Sequence, residues 1–298
     1  MFTNYNYNGQ EVYQKNFSSL SELNLFLLSN PTINSKVFGN HRKIHSVNNE
    51  TLGLPYDECV SYLLGGYTKD LPEILRIDSE YEHAFVAQTS ERRYTKSAIG
   101  SRPNVVNYIA GSPLTMYRKE KYEDIKMVDI FFNIQSSWRT TKTQFLHRGI
   151  ITYELIRLLE AYNYKVNFVV FCAAESKNEM VYYQIGIKNP DEHFILSEAN
   201  TFALCAPEMF RRIIFRVMES TPVKNEDWGG NYGTKVSKEK LKEFLELSNN
   251  SILILNPKEM GISGESLEKD AQTCLDSLNL QDKINIDSEA MKLAFKKK

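Results

Sequence analysis

The chain has 298 residues, which is enough for one large domain or two domains of ordinary size. Hydrophobic residues make up 42% and charged residues 24% of the sequence, a composition that excludes wholesale disorder. The 36 basic residues nearly balance the 37 acidic ones. This balance gives no general electrostatic reason to bind nucleic acids or anionic membranes, although a local basic patch is compatible with it.

Cysteine usage and the N-terminal residues indicate the cellular compartment. The cysteines are scattered without a CxxC pair, which suits a reducing compartment better than a disulfide scaffold. Residues 1–9 lack the basic and apolar segments of a secretion signal, and no apolar run approaches the roughly 20 residues of a membrane span. We therefore expect a soluble protein of the cytoplasm with no membrane partner. Cys172 and Cys205 follow apolar residues and are predicted in the core.

The N-terminal part of the chain predicts short helices joined by long loops. The Asn8-Gly9 pair is a turn signal and predicts an edge hairpin, with an irregular arm as the alternative. Helices are predicted at residues 20–28, after a serine cap, and at residues 55–64, which begin on proline and end at glycine. Residues 78–103 are charged and low in aliphatic side chains, which predicts a surface loop or hairpin.

A βαβ unit between Lys126 and Ala173 organises the second half of the chain. Apolar runs at residues 127–132 and 166–171 predict two strands, and the amphipathic segment at residues 147–162 predicts a helix between them. Parallel strands require a crossover of this length.

Strands and helices continue to alternate after this unit. Residues 180–187 and 251–255 predict strands, while residues 208–219 and 237–247 predict helices. The spacing of apolar residues on the 208–219 helix predicts three arginines outside or at the margin of its buried face: Arg211, Arg212 and Arg216.

This alternation predicts the α/β class, with a mostly parallel sheet that helices cover on both faces. We expect such a domain at residues 123–298, with a helical tail at its C-terminal end. A smaller helix-rich region with long loops is expected at residues 1–122.

The turn after the first central strand is the predicted ligand position, because open α/β sheets bind ligands beyond the carboxyl ends of their strands. The segment Asn133-Ile134-Gln135-Ser136-Ser137 resembles the D-x-S-x-S metal motif of the von Willebrand factor A domain family, and Ser137 matches it. The resemblance implies an A-domain-like fold and a cation site that a later threonine completes: Thr140, Thr141 or Thr143.

Two departures from the motif weaken that site. Asn133 replaces the carboxylate and Gln135 replaces the first serine, and neutral amide oxygens offset the dehydration of a hard cation poorly. We therefore predict no metal and no cofactor, and a polar turn that caps the following helix. Asn133, Gln135, Ser137 and Thr141 remain candidate binding residues.

A second resemblance covers more of the chain. Residues 62–67, 107–116 and 147–150 resemble stretches of an uncharacterised protein family of tailed phages and other mobile elements. The resemblance implies a phage setting inside a bacterial host and no particular activity.

Two loops carry the other candidate binding residues. Arg92, Arg93 and Tyr94 begin a basic stretch that runs to Arg102, and a basic stretch interleaved with rings can bind phosphates and bases. A solvated loop is the alternative. Trp228 and Tyr232 lie in a glycine-rich loop that either contacts a partner protein or folds back over the core.

The sequence contains no glycine-rich phosphate loop and no nucleophile elbow. Cys172 with His147 or His193 is a candidate nucleophile pair, but a buried structural thiol is the favoured interpretation. His41 and His45 have ligand spacing but no acidic or cysteine partners nearby. We predict no catalytic residue.

The leading hypothesis is a non-enzymatic phage or mobile-element accessory protein that binds a host or phage protein, with a host defence complex as one target. One alternative is a nucleic-acid-associated protein that uses the Arg92–Arg102 stretch. Another is an enzyme with a site between Asn133 and His147. A homo-oligomer is compatible with each of them.

Overall fold

The computed structural model describes residues 2–29, 31, 32, 34, 54–65, 67, 69–81, 85–87, 94–98, 102, 103, 105–119, 126–135, 140–162, 164–192, 198–224, 228, 234–248, 251–254 and short pieces between 268 and 292. The strands are β1 (Thr3–Tyr7), β2 (Gln10–Phe17), β3 (Phe85–Ala87), β4 (Tyr94–Ser97), β5 (Arg102–Pro103), β6 (Met116–Lys119), β7 (Met127–Asn133), β8 (Lys165–Glu175), β9 (Glu179–Lys188), β10 (Thr234–Lys235), β11 (Ser251–Ile254) and β12 (Ile284–Ile286). The helices are α1 (Leu20–Leu28), α2 (Tyr56–Gly65), α3 (Leu71–Tyr81), α4 (Val105–Ile109), α5 (Lys142–Ala161), α6 (Glu198–Cys205), a π-helix (Met209–Ile214), α7 (Phe215–Glu219) and α8 (Lys238–Phe244).

The main sheet has the strand order β1-β2-β9-β8-β7-β11, and β10 pairs with the end of β8 beyond β7. β7 and β8 are parallel neighbours joined through α5, so the predicted βαβ unit is confirmed. β11 is parallel to β7, and β2 is parallel to β9. The fold is therefore mixed α/β, with three parallel strand pairs in the main sheet.

The prediction of a mostly parallel sheet holds only in part. β8 and β9 are antiparallel, as are β1 and β2. Only residues 176–178 separate β8 from β9, and a connection this short cannot cross back to start a parallel strand. The chain therefore turns into a hairpin at this point.

The predicted hairpin at the N-terminus is confirmed. Asn8 and Gly9 both have positive φ angles, 49° and 83°, which a two-residue turn between twisted strands requires. β2 continues into the sheet by pairing with β9 from Glu11 to Phe17. The main sheet therefore contains strands that precede residue 122 in the sequence and strands that follow it. A domain boundary at residue 122 stays a prediction.

Helices lie on both faces of the sheet, as predicted, but very unequally. On β8, Val170 and Cys172 join the large core beneath α1, α2, α3, α5, α6 and the π-helix. Phe171 and Ala173, which alternate with them, join a smaller cluster. α8 covers that second face and places the Phe244 ring edge-on to Tyr7 and Tyr182, at centroid distances of 5.3 and 5.2 Å.

The predicted helix at residues 208–219 is a π-helix that continues into α7, and two of its arginines are buried. The prediction that Arg212 and Arg216 lie outside the buried face or at its margin is therefore wrong. A π-helix turns more slowly than an α-helix, so positions assigned with a period of 3.6 drift around its surface. Nε of Arg212 donates to the carbonyl of Leu54 at 2.8 Å, and Nη2 of Arg216 donates to that of Pro31 at 2.5 Å.

A small antiparallel sheet with the order β4-β6-β5 stands apart from the main sheet, and β3 pairs with β12. Strands thus form in part of the segment predicted as a loop or hairpin. We call β4, β5, α4 and β6 the 94–119 unit. Within the described part of this unit, the extensive contacts are those between neighbouring strands of the small sheet. No helix in the described part of the chain is long and apolar enough to cross a bilayer.

Candidate functional site

The predicted ligand position at the end of β7 is occupied by a hydrogen-bonded turn. Asn133 is fully buried, and its Oδ1 accepts a hydrogen bond from the backbone N–H of Gln135 at 2.8 Å. This bond closes an Asx turn. The N–H of Ile134 donates to the carbonyl of Phe171 at 3.0 Å, which extends the pairing with β8. The amide oxygen that stands where the A-domain motif has a carboxylate is therefore used by the backbone of the turn.

Thr141 caps the N-terminus of α5. Its side chain accepts a hydrogen bond from the backbone N–H of Gln144 at 3.3 Å, and Oε1 of Gln144 accepts one from the N–H of Thr141 at 2.9 Å. This reciprocal pair is a capping box, which satisfies two backbone donors that the helix itself leaves open. The prediction of a helix-capping turn is confirmed for Thr141.

The candidate binding residues of this segment thus divide between a turn and a helix cap. The structure brings Asn133 and Gln135 together, while Thr141 serves the helix. Ser137 lies outside the described residues. Within the described part of the chain, no three His, Cys, Asp or Glu side chains gather as a potential metal site.

A buried arginine that sequence analysis missed lies behind this turn. Arg148 on α5 places its guanidinium over the ring of Phe132 at 4.1 Å from the centroid, and its Nη2 is 3.5 Å from the carbonyl of Ile254. It therefore ties α5 to the carboxyl ends of both β7 and β11. The signal in the sequence is a charged residue between two apolar pairs, Phe145-Leu146 and Ile150-Ile151, on the same helix.

Trp228 is 1% exposed, so the loop residue folds back over the core, the second of the two predicted alternatives. Its Nε1 donates to Oε2 of Glu179 at 2.8 Å. Oε1 of the same buried carboxylate accepts a hydrogen bond from the backbone N–H of Lys224 at 2.8 Å and one from the hydroxyl of Tyr13 at 3.4 Å. Glu179 therefore fastens this loop to the sheet. Tyr232 lies outside the described residues.

The candidate nucleophile pair has the wrong protonation states for catalysis. Cys172 is fully buried, and burial raises the pKa of its thiol well above the usual range. His147 is buried in the helical layer, where its Nδ1 lies 2.9 Å from the hydroxyl of Tyr81 and burial lowers its pKa to about 4. A thiol whose pKa is raised and an imidazole whose pKa is lowered are poorly suited to form a thiolate and its base. The favoured interpretation of Cys172 as a buried structural thiol is confirmed, and His193 lies outside the described residues.

The basic stretch is only partly defined. Arg92 and Arg93 lie outside the described residues. Tyr94 is the first residue of β4, where it is paired with Lys119 of β6.

An exposed apolar surface on α4 is the feature that sequence analysis missed most clearly. Val105, Tyr108 and Ile109 are 60%, 73% and 80% exposed. They are spaced i, i+3 and i+4, which places them on one face of the helix. We call these three residues the apolar stripe. Pro103 and Gly111 predict a short helix between them, at residues 104–110, but the side that faces water depends on where the helix packs.

The turn after α4 fixes the end of the stripe. Gly111 has a φ of +69°, its N–H donates to the carbonyl of Tyr108 at 3.1 Å, and the N–H of Ser112 donates to that of Asn107 at 2.9 Å. This pair of bonds around a left-handed glycine is a Schellman motif. Nδ2 of Asn107 also donates to the carbonyl of Leu114 at 2.9 Å. The stripe is therefore held by a hydrogen-bonded turn.

A family model described as "Domain of unknown function (DUF7192)" matches residues 3–282. The chain belongs to this family. The DUF7192 match begins at the first residue of β1 and includes all strands of the main sheet, the apolar stripe and the small sheet. No curated protein and no solved structure matches the chain.

Proposed function

We propose that this chain is a non-enzymatic accessory protein that acts by binding another protein through the apolar stripe. The observation that carries the proposal is the exposure of Tyr108 and Ile109 on a helix whose end is fixed by hydrogen bonds. Burying a large apolar side chain stabilises a complex by about 1.5–3 kcal/mol. Apolar residues that share one exposed face commonly mark such contacts, and tyrosine is enriched in them.

The turn after α4 supports the proposal because it reduces the entropic cost of binding. Two backbone hydrogen bonds and the amide of Asn107 already hold residues 107–114 in one conformation. A surface that is ordered before association loses less conformational freedom when the partner arrives.

The non-enzymatic part of the proposal is supported by the state of the two described groups that could have formed a nucleophile pair. Burial keeps the thiol of Cys172 protonated and the imidazole of His147 neutral. The biological setting that we propose is supported by the sequence resemblances. We propose a phage or mobile-element protein whose partner is a host or phage protein, and an A-domain-like relationship for the β7-α5-β8 unit.

The test is affinity purification of the tagged full chain from the cells in which it naturally occurs, followed by mass spectrometry. The variant carries Tyr108→Ser and Ile109→Ser. We expect the wild-type chain to retain one stoichiometric protein. We expect the affinity of the variant for that protein to be at least tenfold lower. That loss corresponds to about 1.4 kcal/mol, less than the burial of either side chain provides.

A matched control uses two leucines on α1 that are as exposed as the stripe. Leu25 and Leu28 are 66% and 63% exposed, so the Leu25→Ser, Leu28→Ser variant removes a similar apolar surface elsewhere. We expect it to retain the partner, and both variants to unfold at the wild-type urea concentration. The proposal fails if the wild-type chain captures no protein, or if the two variants lose it equally.

A further inference from the structure

Charge is distributed unevenly along a chain whose net charge is only -1. Residues 92–119 contain no aspartate and no glutamate. The same segment contains six basic residues: Arg92, Arg93, Lys96, Arg102, Arg118 and Lys119. The 94–119 unit is therefore a local region of positive charge, which the balance of the whole chain conceals.

The register of the small sheet sorts these residues onto its two faces. Tyr94 is paired with Lys119, and Tyr117 is paired with Lys96 on one side and with Arg102 on the other. Residues that are directly opposite in an antiparallel pair share a face, and so do residues two apart along one strand. These five residues therefore occupy positions of a single face.

The two faces differ in chemistry. The first face combines two tyrosine positions with three basic positions, and each tyrosine has a basic residue as its cross-strand partner. The second face has no aromatic residue, no acidic residue and a single basic residue. Its positions are Thr95, Ser97, Pro103, Met116 and Arg118. The aromatic and basic residues are thus segregated by the register.

We propose that the face formed by Tyr94, Lys96, Arg102, Tyr117 and Lys119 binds single-stranded nucleic acid. Basic residues attract the phosphates, and the tyrosine rings stack on unpaired bases, a combination that binds single strands with little dependence on sequence. Charge complementarity selects a polyanion as the occupant. Because each ring is paired with a charge, this face favours a polyanion in which bases and phosphates alternate along the chain.

This inference goes beyond protein binding by the apolar stripe and is independent of it, although both surfaces belong to the 94–119 unit. Duplex nucleic acid would satisfy the basic residues, but its stacked bases leave the tyrosines without a role. An acidic peptide likewise offers charges without bases. Both are therefore alternatives that the same experiment excludes or supports.

The test is fluorescence anisotropy of the full chain with a labelled poly-uridine or poly-thymidine strand of about 12 nucleotides, which lies within the site size of single-strand-binding surfaces. We expect the strand to bind more tightly than a duplex of equal length. The logarithm of the binding constant is expected to fall with the logarithm of salt concentration with a slope of about -2, as three phosphate contacts to a single strand predict.

Substitutions separate stacking from charge. We expect Tyr117→Leu to weaken binding by about tenfold and Tyr117→Phe to leave it unchanged, because phenylalanine keeps the ring that stacks. Lys96→Ala is expected to reduce the magnitude of the salt slope by about 0.7, whereas Arg118→Ala, on the other face of the same sheet, leaves the slope unchanged.

Several results would overturn the proposal. The first is equal affinity for the duplex and the single strand, and the second is an equal loss of affinity for Tyr117→Leu and Tyr117→Phe. The third is an equal change of the salt slope for Lys96→Ala and Arg118→Ala. The fourth is an affinity for an acidic peptide that exceeds the affinity for the single strand. Circular dichroism and the urea midpoint of each variant confirm that the sheet is intact.

Discussion

The helical layer over the main sheet and the 94–119 unit use the same residue types in opposite ways. In the helical layer, Arg212 is buried and donates to a backbone carbonyl. Tyr183 of β9 is buried against this layer, and its hydroxyl lies 2.6 Å from Oγ1 of Thr221. In the 94–119 unit, Tyr108 extends into water. Tyrosine therefore has a structural role in the first region and is exposed at Tyr108 in the second.

The difference follows from how each region obtains its stability. The helical layer is held by burial, so a polar group there must find a partner inside the protein. The 94–119 unit is held by local turns and strand pairs, and Val105, Tyr108 and Ile109 of its helix lie outside the core. Substitutions in the first region should act mainly on folding and those in the second mainly on binding.

The largest effect is expected where one buried carboxylate satisfies several donors. Glu179→Ala removes the acceptor of the Trp228 indole, of the Lys224 backbone N–H and of the Tyr13 hydroxyl. Because buried donors without partners are costly, we expect the free energy of unfolding to fall by about 3 kcal/mol. Urea unfolding followed by circular dichroism measures this change.

An exposed carboxylate provides the control. Asp191 is paired with Lys165 at the surface, and exposed ion pairs contribute little to stability. Asp191→Ala should therefore leave the urea midpoint nearly unchanged. Equal losses for the Glu179 and Asp191 variants would contradict the role of burial in the comparison.

A smaller loss is expected from close packing between α5 and α6. A Cβ atom on Gly149 would lie 2.8 Å from the carbonyl oxygen of Leu204 and would also overlap Sγ of Cys205. Gly149→Ala should therefore destabilise the protein by about 2 kcal/mol, because the helices must move apart. The same urea experiment measures it.

Gly65, the last residue of α2, provides the matched control, because a Cβ there meets no atom within 4 Å. Alanine has the higher helix propensity, so Gly65→Ala should leave the protein as stable as before or stabilise it by up to about 0.5 kcal/mol. A loss at Gly65 as large as at Gly149 would show that backbone conformation, not packing, decides both positions.

Local signals were enough to predict much of the helical layer and the sheet beneath it. The Asn8-Gly9 turn and the two apolar runs around α5 each encode their structure within a few residues, and each prediction is confirmed. The parallel pairing of β2 with β9 joins residues far apart in sequence, and no short pattern records it. The antiparallel turn between β8 and β9 was readable from its short connection and was missed.

The candidate site was harder to predict, because side-chain burial is set by packing between distant elements. Arg216 appears exposed on a helix with a period of 3.6, but the π-helix before it changes the phase. Trp228 is of a residue type that is enriched in protein contacts, yet it lies in the core. Conversely, the short 105–109 helix gave no indication that Tyr108 and Ile109 remain in water.

The smallest effect on folding is expected in the turn of the 94–119 unit, where the effect on binding should be larger. Asn107→Ala removes the side-chain bond to the Leu114 carbonyl but leaves the backbone bonds of the Schellman motif. We expect the free energy of unfolding to change by less than about 0.5 kcal/mol, since the bond lies at the surface. Partner affinity should fall about fivefold, because a looser turn must be ordered on binding. Asn4→Ala, which removes an exposed asparagine bond to Glu11 on β2, should change neither quantity. A loss of stability without a loss of affinity at Asn107 would place the 94–119 unit with the core and remove the basis for treating the apolar stripe as a preorganised contact.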